Sequence, residues 1–434
     1  MNPRVLTAVV ESHYVRDPVH GFIPIPETGI LSDLIDTVEF QRLRYIRQLG
    51  VSYNIYPGAE HSRFFHSLGV AHLAGRMHEA ILRSEGRSSE EREQIHAERL
   101  RIQVAALLHD IGHPPFSHVF DQFWTPDTDH VAWGGRILMS GETEVGEILR
   151  KHGFPPSEIG ALIGGSPSKP KYLHMLISSQ MDADRFDYLL RDAYHTGNPC
   201  GNYDLERILR TIALKDDIVH VKEKGKFSME GYLMGRYHMY NQVYLHRTTL
   251  CFEFLLKTII RRAYDLQDRG LDSAAPPMIG WPAQGKTRVS LSPADYLSMT
   301  DDKILSFVRE CMKSSDNTLK DLSTRYFCRR HPFKPIKDRK VDPQSMTEVR
   351  ERAQNVLLAH HMDPDYYLLI EEKVAKPAYY PYDPQKDDPE NAIFLEDGRE
   401  ISDVLPSLNA LKIGGAMLIC VPEEVRSEIA EAIV

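Results

Sequence analysis

The stretch AALLHDIGHPPFSH (residues 105–118) sets His109 and Asp110 side by side in an otherwise apolar, helix-like segment. Burying an imidazole and a carboxylate in such a segment is unfavourable unless a ligand binds them. A neutral imidazole together with an ionised carboxylate suits a divalent first-row metal ion. Because neighbouring side chains on a helix point about 100° apart, one ion can contact both. Two ligands are too few, so other segments must supply the rest.

Apolar residues three to four positions apart predict helices on both sides of this stretch. Gly50 is expected to end the first helix, and Pro114 with Pro115 the third. The predicted helices cover residues 30–49, 64–83, 98–112, 172–195, 230–266 and 302–325. After residue 364, DYYLLIEEKVA and AMLICVPEEV are typical of short strands separated by turns. The expected fold class is mainly α, with a helical core and a small α+β C-terminal subdomain.

The length of 434 residues is enough for two or three subdomains. We expect a helical core over residues 1–270 and a helical extension over residues 271–363. A loop rich in Gly, Pro and Ser, at residues 271–290, begins the extension. The α+β subdomain then covers residues 364–434.

The formal net charge of −9 disfavours a general nucleic-acid or membrane-surface binder, although a local basic pocket stays compatible with it. The five cysteines are scattered and never have C-x-x-C spacing. This predicts a reducing compartment without a disulfide framework or a thiolate zinc site. Apolar runs are too short for a signal peptide or a membrane span, so we expect a cytoplasmic protein.

Two further segments offer metal ligands. His66 lies in SRFFHSLGVAHLAG (62–75), and Asp184 lies in SSQMDADRFDYLLRDAYHTG (178–197). Together with His109 and Asp110 they make two histidines and two carboxylates drawn from three predicted helices. Such a set leaves open positions for water and substrate, as metal sites for phosphate chemistry require.

Further histidines near this set suit proton transfer, because their unperturbed pKa is about 6.5. They are His113, which would share a helical face with His109, and His118 and His130. The alternative is that such histidines are structural and bonded to backbone carbonyls. We favour that alternative for His61, His72, His78 and His96. Asp187 is open to a second interpretation too, as a surface acid that pairs with Arg191 four residues later.

The spacing H…HD…D and its surroundings resemble the HD-domain phosphohydrolases. More narrowly, they resemble the deoxynucleoside triphosphate triphosphohydrolases, which include the animal SAM-and-HD-domain enzyme. The motifs occur in that family's order and are DPVHGFI (17–23), IDTVEFQRLRYIRQLG (35–50), YPGAEHSRFFHSLGVAHLAG (56–75), LLHDIGHPPFSHVFD (107–121) and DADRFDYLLRDAYHTG (182–197). The resemblance implies attack of water at the α-phosphorus of a dNTP, which releases a deoxynucleoside and inorganic triphosphate.

The resemblance also implies roles for individual residues. The metal ligands are His66, His109, Asp110 and Asp184. The sequence does not determine the metal, because sites of histidine and aspartate accept Fe, Mn, Mg, Zn or Ni, and we expect Mg²⁺ to accompany the nucleotide. The acid–base residues are His113, His118, Asp121 and His130, of which His118 would protonate the leaving 5′ oxygen. The substrate contacts are Gln48, Arg63, Arg185, Tyr188, Asp192, Arg236 and Tyr244. Within that set Gln48 and Asp192 would bind the 3′-hydroxyl, and Tyr188 would leave no room for a 2′-hydroxyl.

Relatives in this family form tetramers or hexamers with effector sites between subunits, so we expect a homo-oligomer and an effector nucleotide. Arg16 stands where the animal enzyme has an asparagine that reads guanine, which removes support for guanine selectivity. The residues implied for the effector site are Arg16, Asp36, Gln41, Arg44, Arg207, Lys222, Lys224, Arg330 and Lys334. We expect no sterile alpha motif domain in front of residue 14.

Another departure from the family concerns the proton relay. Val131 follows His130 where the family often has glutamate, so a His–Glu relay lacks its carboxylate. Two other functions therefore stay open. One is a different HD-type activity, either a nucleotidase that releases orthophosphate or a single-strand nuclease. The other is a catalytically silent nucleotide-binding scaffold, in which His118 and Asp121 have no catalytic role. Separately, Tyr188 and Tyr244 are open to interpretation as core aromatics, and Arg236 as a surface charge.

Overall fold

The fold is known from a computed structural model. It describes residues 12–85, 87–121, 129–165, 170–269, 292–336, 346–372, 376–383, 385, 389–413 and 417–433. The loop predicted over residues 271–290 lies outside these ranges. None of the helices in the described ranges is both long and apolar enough to span a membrane.

Helices dominate the chain up to residue 200, as the sequence predicts. They are α1 (Ile30–Ile35), α2 (Val38–Arg42), α3 (Arg63–Leu82), α4 (Ser89–Ala97), α5 (Arg99–Leu108), α6 (His118–Asp121), α7 (His130–Met139), α8 (Glu144–Lys151), α9 (Pro156–Gly164), α10 (Lys171–Met175) and α11 (Ala183–Thr196). Helix α3 is buried on nearly every side and packs against both α5 and α11. These three helices form the centre of the core and carry the residues of the candidate site.

Helices also dominate the second half of the chain. They are α12 (Leu205–Leu209), α13 (Lys226–Met239), α14 (Arg247–Asp268), α15 (Pro293–Leu297), α16 (Asp301–Cys311), α17 (Asn317–Cys328), α18 (Met346–Ala359), α19 (Pro364–Tyr367), α20 (Ile401–Val404) and α21 (Arg426–Ala432). Helix α14 packs against α17 and the strand that follows it. The predicted fold class, a helical core with small sheets, is confirmed.

The strands are short and form small sheets. They are β1 (Ser12–Asp17), β2 (Gly21–Pro26), β3 (Ile212–Lys215), β4 (Ile218–Val221), β5 (Phe333–Ile336), β6 (Leu369–Glu372), β7 (Lys376–Pro377), β8 (Phe394–Leu395), β9 (Lys412–Ile413) and β10 (Met417–Pro422). Antiparallel pairs form the hairpins β1–β2 and β3–β4. We predicted neither hairpin, because we interpreted the region from about residue 15 to 265 as mostly helical.

Of the C-terminal strands, β7 and β9 pair with each other in a two-stranded sheet, whereas β6, β8 and β10 belong to sheets shared with earlier segments. Strand β10 lies between β5 and β6, and β8 pairs in parallel with β4. Strands from beyond residue 364 therefore complete sheets that begin in earlier segments. The predicted strands in DYYLLIEEKVA and AMLICVPEEV are confirmed as β6 and β10. The domain bounds at residues 270 and 363 stay predictions.

Two of the long predicted helices are wrong in extent because polar side chains start new helices within them. Residues 30–49 divide into α1, α2 and a 3-10 turn, since the Thr37 hydroxyl accepts the Phe40 N–H and caps α2. Gly50 begins a further 3-10 turn rather than following a helix. Residues 172–195 divide at Asp182, whose carboxylate accepts the Arg185 N–H at 2.7 Å and caps α11.

The other long predictions are interrupted as well. Residues 230–266 contain a π-helical turn at Tyr240–Tyr244 between α13 and α14. Residues 302–325 divide into α16 and α17, and Asp316 caps the second helix by accepting the Leu319 N–H. In each case a local side-chain or backbone bond outweighs a continuous apolar pattern.

The prediction of a chain without disulfides is wrong. Cys251 of α14 and Cys420 of β10 form a disulfide with their Cα atoms 5.8 Å apart. Both residues are fully buried, and 169 positions separate them. The spacing of the cysteines in the sequence does not indicate this pair, because only the packing of β10 against the core brings the two residues together. The free cysteines among the described residues are Cys200, Cys311 and Cys328.

Candidate metal centre and its pocket

Three elements bring the predicted metal ligands together. His66 lies in α3 and is fully buried, and Asp184 lies in the first turn of α11. His109 caps the end of α5, and Asp110 lies in the turn after it. The prediction that the His109–Asp110 pair and His113 lie on one helix is therefore wrong. Bonds between residues three apart, such as the His113 N–H to the Asp110 carbonyl, tighten the chain there into turns.

The ligand atoms of His66, His109 and Asp184 lie within 4.8 Å of one another. His66 Nε2 is 3.0 Å from Asp184 Oδ1 and 3.3 Å from His109 Nε2. Asp110 faces the same point, with Oδ2 3.6 Å from His66 Nε2 and Oδ1 3.3 Å from His109 Nε2. Two imidazoles and two carboxylates thus converge on a space that one ion would fill.

The hydrogen bonds on the far side of each imidazole fit a metal. The Nδ1–H of His109 donates to the Ala106 carbonyl at 2.8 Å. The Nδ1–H of His66 donates to Asp187 Oδ2 at 2.8 Å. Each Nε2 points at the cluster, where a bound metal would displace any proton on the nitrogen and take its lone pair. Nitrogen and oxygen donors of this kind suit divalent first-row metals.

The charges of the site hold its carboxylates ionised. Burial raises the pKa of Asp110, but the charges of Arg63 and His109 outweigh burial and lower that pKa well below its usual range. Burial also opposes ionisation of Asp184, and its bonds to His109 and His66 lower its pKa. Burial lowers the pKa of His66, while Asp184 and Asp187 raise it to about 10. The histidines and carboxylates therefore share a strong, buried electrostatic attraction.

Arg63 and His113 hold Asp110 from two sides. The guanidinium donates to Asp110 Oδ2 at 2.6 Å and to Ser117 Oγ at 2.8 Å. His113 Nε2 lies 3.1 Å from Asp110 Oδ1. Burial lowers the pKa of His113 well below its ordinary value, and the neighbouring charges of Arg63 and His130 lower it further. His113 is thus a neutral imidazole at physiological pH.

The histidines predicted for proton transfer are only partly described. His113 and His130 stack with ring centroids 4.0 Å apart. The side chains of His118 and Asp121 lie outside the described part of the structure, so their roles stay predictions. Val131 lines the pocket beside His130.

The loop after His113 has a strained backbone. Phe116 and Ser117 have φ values of 50° and 38°, a region that residues other than glycine seldom adopt. Asp301 at the start of α16 holds this loop, because its Oδ1 accepts the Phe116 N–H at 2.9 Å. Its Oδ2 accepts the Arg47 N–H at 3.0 Å, next to Gln48. Sequence reasoning missed Asp301, since nothing in its local sequence indicates a contact so far along the chain.

A cavity of about 730 Å³ opens onto the metal cluster. Eleven of the predicted site residues line it: Gln48, Arg63, His109, Asp110, His113, His130, Asp184, Arg185, Tyr188, Asp192 and Tyr244. His66 lies behind this wall at 0% exposure, and Arg236 lies behind Tyr240, with its Cζ 5.5 Å from the ring centroid. The cavity wall also includes Tyr240, Glu253 and Lys257, which sequence reasoning missed.

Several buried polar atoms of the predicted substrate contacts make no hydrogen bond within the described residues. They are Nε of Arg63, Nη1 of Arg185, Nε and Nη1 of Arg236, and Oε1 of Gln48. Arg236 is only 6% exposed, so its interpretation as a surface charge is wrong. Nη1 of Arg185 does lie 3.5 Å from Asp182 Oδ2 in an ion pair. Buried guanidinium N–H donors without a hydrogen bond are typical of sites that receive an anion.

Asp192 connects a polar and an aromatic wall of the cavity. Its Oδ1 is 2.7 Å from His61 Nε2, and its Oδ2 accepts the Tyr244 hydroxyl at 2.8 Å. His61 therefore bonds to a carboxylate and not to a backbone carbonyl, whereas His78 does bond to the Ile95 carbonyl. Tyr188 and Tyr244 pack edge to face with centroids 6.0 Å apart. Both tyrosines line the cavity and also pack against the hydrophobic core.

The residues implied for an effector site form separate small groups. Arg44 Nε donates to Gln41 Oε1 at 2.7 Å, and Arg207 Nη2 donates to the Lys224 carbonyl at 3.1 Å. Arg16 lies exposed on β1 with its Cζ 5.3 Å from the Phe22 ring centroid. The remaining members are Asp36, Lys222, Arg330 and Lys334. The effector site stays a prediction.

Comparisons with known proteins agree with this site. An HD domain model matches residues 63–192, the span that holds all four predicted ligands. The protein YwfO of Bacillus subtilis is 38% identical over 364 residues, which cover 83% of this chain and 79% of that protein. The human deoxynucleoside triphosphate triphosphohydrolase SAMHD1 is 29% identical over 392 residues, and the match covers 79% of this chain and 59% of the human enzyme.

Solved structures agree as well. A phosphohydrolase from Bacteroides thetaiotaomicron superposes with a TM-score of 0.78 at 26% identity, covering 95% of this chain and 100% of that one. A hypothetical protein from Aquifex aeolicus superposes with a TM-score of 0.73 and 26% identity, covering 98% and 100%. The chain belongs to the HD-domain phosphohydrolases, hydrolases whose HD domains bind divalent metal ions. The family predicted from the sequence motifs is confirmed.

Proposed function

We propose that this protein is a metal-dependent dNTP triphosphohydrolase, which converts a dNTP to a deoxynucleoside and inorganic triphosphate. The observation that carries the proposal is the pairing of the His/Asp cluster with buried arginines around one cavity of about 730 Å³. A triphosphate carries about four negative charges, and a pocket on an acidic protein needs arginines and a metal to receive it. The human relative of this chain carries the name of that activity.

In this proposal His66, His109, Asp110 and Asp184 hold the metal. The bound metal supplies a Lewis acid for water and for the phosphoryl oxygens. Arg63, Arg185 and Arg236 receive the triphosphate through the N–H donors that have no hydrogen bond within the described residues. His118 protonates the leaving 5′ oxygen, with His113, His130 and Asp121 as further acid–base groups.

The sugar lies against the aromatic wall. Tyr188 packs on the deoxyribose, and its ring excludes a 2′-hydroxyl. Gln48 and Asp192 bind the 3′-hydroxyl, for which the buried Oε1 of Gln48 has no other partner within the described residues. Tyr244 holds Asp192 through its hydroxyl. Discrimination between dNTP and NTP then depends on shape rather than charge.

The test is a product analysis. Purified protein is incubated with each dNTP and each NTP in Mg²⁺ or Mn²⁺, and the products are resolved by ion-exchange chromatography. We expect inorganic triphosphate and deoxynucleoside from dNTPs and much slower turnover of NTPs. Pyrophosphate or orthophosphate as the first product contradicts the proposal. A His118→Ala variant with undiminished turnover contradicts the assigned acid.

A second candidate is a different HD-type phosphohydrolase, a nucleotidase or a single-strand nuclease. Val131 favours it, because this apolar residue lines the cavity where the family often has a carboxylate. The same product analysis distinguishes the two, with orthophosphate or shortened oligonucleotides as the outcome for this candidate. A wild-type protein that binds dNTPs without turning them over would instead be a nucleotide-binding scaffold.

A further inference from the structure

We propose that the turn between β1 and β2 (residues 17–21) is a positioning element of the metal centre, because it fixes the ring of His66 through Asp187. The inference rests on the ligand assignment in the proposed function. Its contacts lie on the side of His66 away from the cavity, in a layer that neither substrate nor metal would touch. Asp17, His20, Asp187 and Arg191 make up this layer, which we call the turn network.

Asp187 is the centre of the turn network. Its Oδ2 accepts the Nδ1–H of His66 at 2.8 Å and the Nε–H of Arg191 at 2.7 Å. Its Oδ1 accepts Nη2–H of Arg191 at 2.9 Å and the Nε2–H of His20 at 2.6 Å. Four donors thus hold one carboxylate whose side chain is 0% exposed. A carboxylate fixed in this way also fixes the rotation of the His66 ring and keeps its proton on Nδ1.

The hairpin turn is built into the same network. Arg191 Nη1 donates to Asp17 Oδ2 at 2.7 Å. The other oxygen of Asp17 accepts the N–H of Val19 at 2.9 Å and that of His20 at 2.8 Å. These bonds fold the turn so that the His20 side chain, 2% exposed, reaches Asp187. The hairpin, α3 and α11 therefore share one rigid buried array of charges.

Arg191 alone does not balance the charges of the turn network. Arg191 is flanked by two carboxylates, Asp17 and Asp187, and both are already bonded to it. His20 donates to Oδ1 of Asp187, which is the oxygen that does not bond to His66. Its hydrogen bond therefore helps to set the orientation of the carboxylate. Outer partners that orient metal ligands typically change metal affinity by about 10- to 100-fold when they are removed. We expect an effect of that size from both Asp187 and His20.

The experiment measures Mn²⁺ binding to metal-stripped full-length protein by calorimetric titration, together with melting temperature with and without Mn²⁺. Asp187→Asn replaces one acceptor oxygen by a donor and should weaken Mn²⁺ binding about 10- to 100-fold. His20→Phe removes the donor and should weaken binding in the same direction. His20→Gln carries an Nε–H donor at similar reach and should restore affinity to within a few-fold of wild type. Asp33→Asn is the matched control, because Asp33 forms a partly exposed pair with His152 Nε2 at 2.7 Å.

The outcomes separate positioning from simple stabilisation. A positioning role predicts that His20→Phe loses much of the rise in melting temperature that Mn²⁺ causes, while His20→Gln keeps it. If His20→Phe lowers the melting temperature of the stripped protein but binds Mn²⁺ like wild type, the inference is wrong. Should Asp187→Asn fail to fold, the two His20 variants decide. Wild-type protein that binds no metal overturns the inference and the metal site together, whereas metal binding with orthophosphate as product overturns only the proposed reaction.

Discussion

Asp110 makes more contacts than its position in a sequence motif would suggest. Arg63 and His113 bond to it from opposite sides, and both predicted metal-binding histidines face it. Its carboxylate therefore has two tasks, to neutralise Arg63 and to complete the cluster. Loss of this one side chain should disturb both, which makes it the most informative single substitution in the site.

Asp110→Ala should abolish metal occupancy and hydrolysis together, because the remaining ligands hold a divalent cation poorly. Removing one partner of a buried ion pair also destabilises a protein by about 3–5 kcal/mol, so Arg63 left unpaired should lower the unfolding midpoint. Elemental analysis of the purified folded fraction measures the metal. Stoichiometric metal in Asp110→Ala would show that the ligand set is wrong, and Asp33→Ala serves as the control.

Tyr188→Ala should relax discrimination against ribonucleotides more than it slows dNTP hydrolysis, because in the proposed function the ring occupies the space that a 2′-hydroxyl needs. The measurement is the ratio of kcat/KM for dATP to that for ATP. Tyr188→Phe keeps the ring and should keep the ratio, which separates shape from the hydroxyl. Equal losses on both nucleotides in Tyr188→Ala would count against a sugar gate.

His72 should make the fold sensitive to acid. Burial, with the nearby His20 and Arg76 charges, lowers its pKa to about 4 from the ordinary 6.5. The unfolded chain therefore binds more protons between pH 6.5 and pH 4, and stability falls as the pH drops through that window. His72→Gln should show a smaller drop in the urea midpoint between pH 7 and pH 5. Exposed His96→Gln should keep the wild-type drop, and the same drop in both variants would refute the assignment.

At the scale of elements, apolar periodicity located the helices better than it located their ends. Helix α3 extends over Arg63–Leu82, close to the predicted 64–83. The prediction for residues 172–195 failed at Asp182, although aspartate is an ordinary N-cap residue. An N-cap residue predicts the start of a new helix, whereas a continuous apolar pattern predicts one unbroken helix. Only the packing around α11 shows which of the two predictions is correct. The sequence of the hairpin β1–β2 shows no clear alternation of apolar and polar residues. Its turn is held by charged side chains from distant parts of the chain, such as Arg191.

The close packing of α3 on α11 yields a test of the turn network at the level of two helices. A Cβ at Gly69 would overlap Asp187 Oδ1 and approach Arg191 Nη2. Gly69→Ala should therefore lower the free energy of unfolding by about 1–3 kcal/mol, the usual effect of overpacking. Gly160→Ala in α9 meets nothing within 4 Å and should raise it by about 0.5–1 kcal/mol. Urea unfolding measures both, and a neutral Gly69→Ala would mean that the two helices separate readily.

For the whole molecule, the disulfide between α14 and β10 should contribute to stability. Cys420→Ser should lower the free energy of unfolding by about 2–4 kcal/mol, because the crosslink restricts the unfolded chain. Dithiothreitol should lower the melting temperature of wild type and leave that of Cys420→Ser unchanged. Cys328→Ser is the control, since Cys328 is exposed and free. Alkylation of all five cysteines in protein that is denatured without reductant would contradict the pairing.

Homo-oligomer formation, an effector nucleotide and a cytoplasmic location stay predictions from the family resemblance. Two of the described sheets join the predicted subdomains, because β8 pairs with β4 and β10 pairs with β5, and these strands come from distant parts of the chain. A C-terminal region that completes earlier sheets is expected to unfold together with them. Its boundaries at residues 270 and 363 are therefore best tested by limited proteolysis.

The residues of the candidate metal centre could be selected from the chain alone because they stand in motifs: His66, His109, Asp110 and Asp184 each lie in a recognisable local sequence. The residues that support these ligands could not be inferred, because the partner of a buried charge depends on which side chains lie close to it in the folded core. His20 and Asp187 are 167 positions apart, and Asp301 reaches Phe116 across 185. Contacts between residues so far apart in the chain cannot be predicted from the local sequence. Packing of α3, α5 and α11 creates them, since it removes water from the charges and leaves each carboxylate only the donors that the fold has brought within reach.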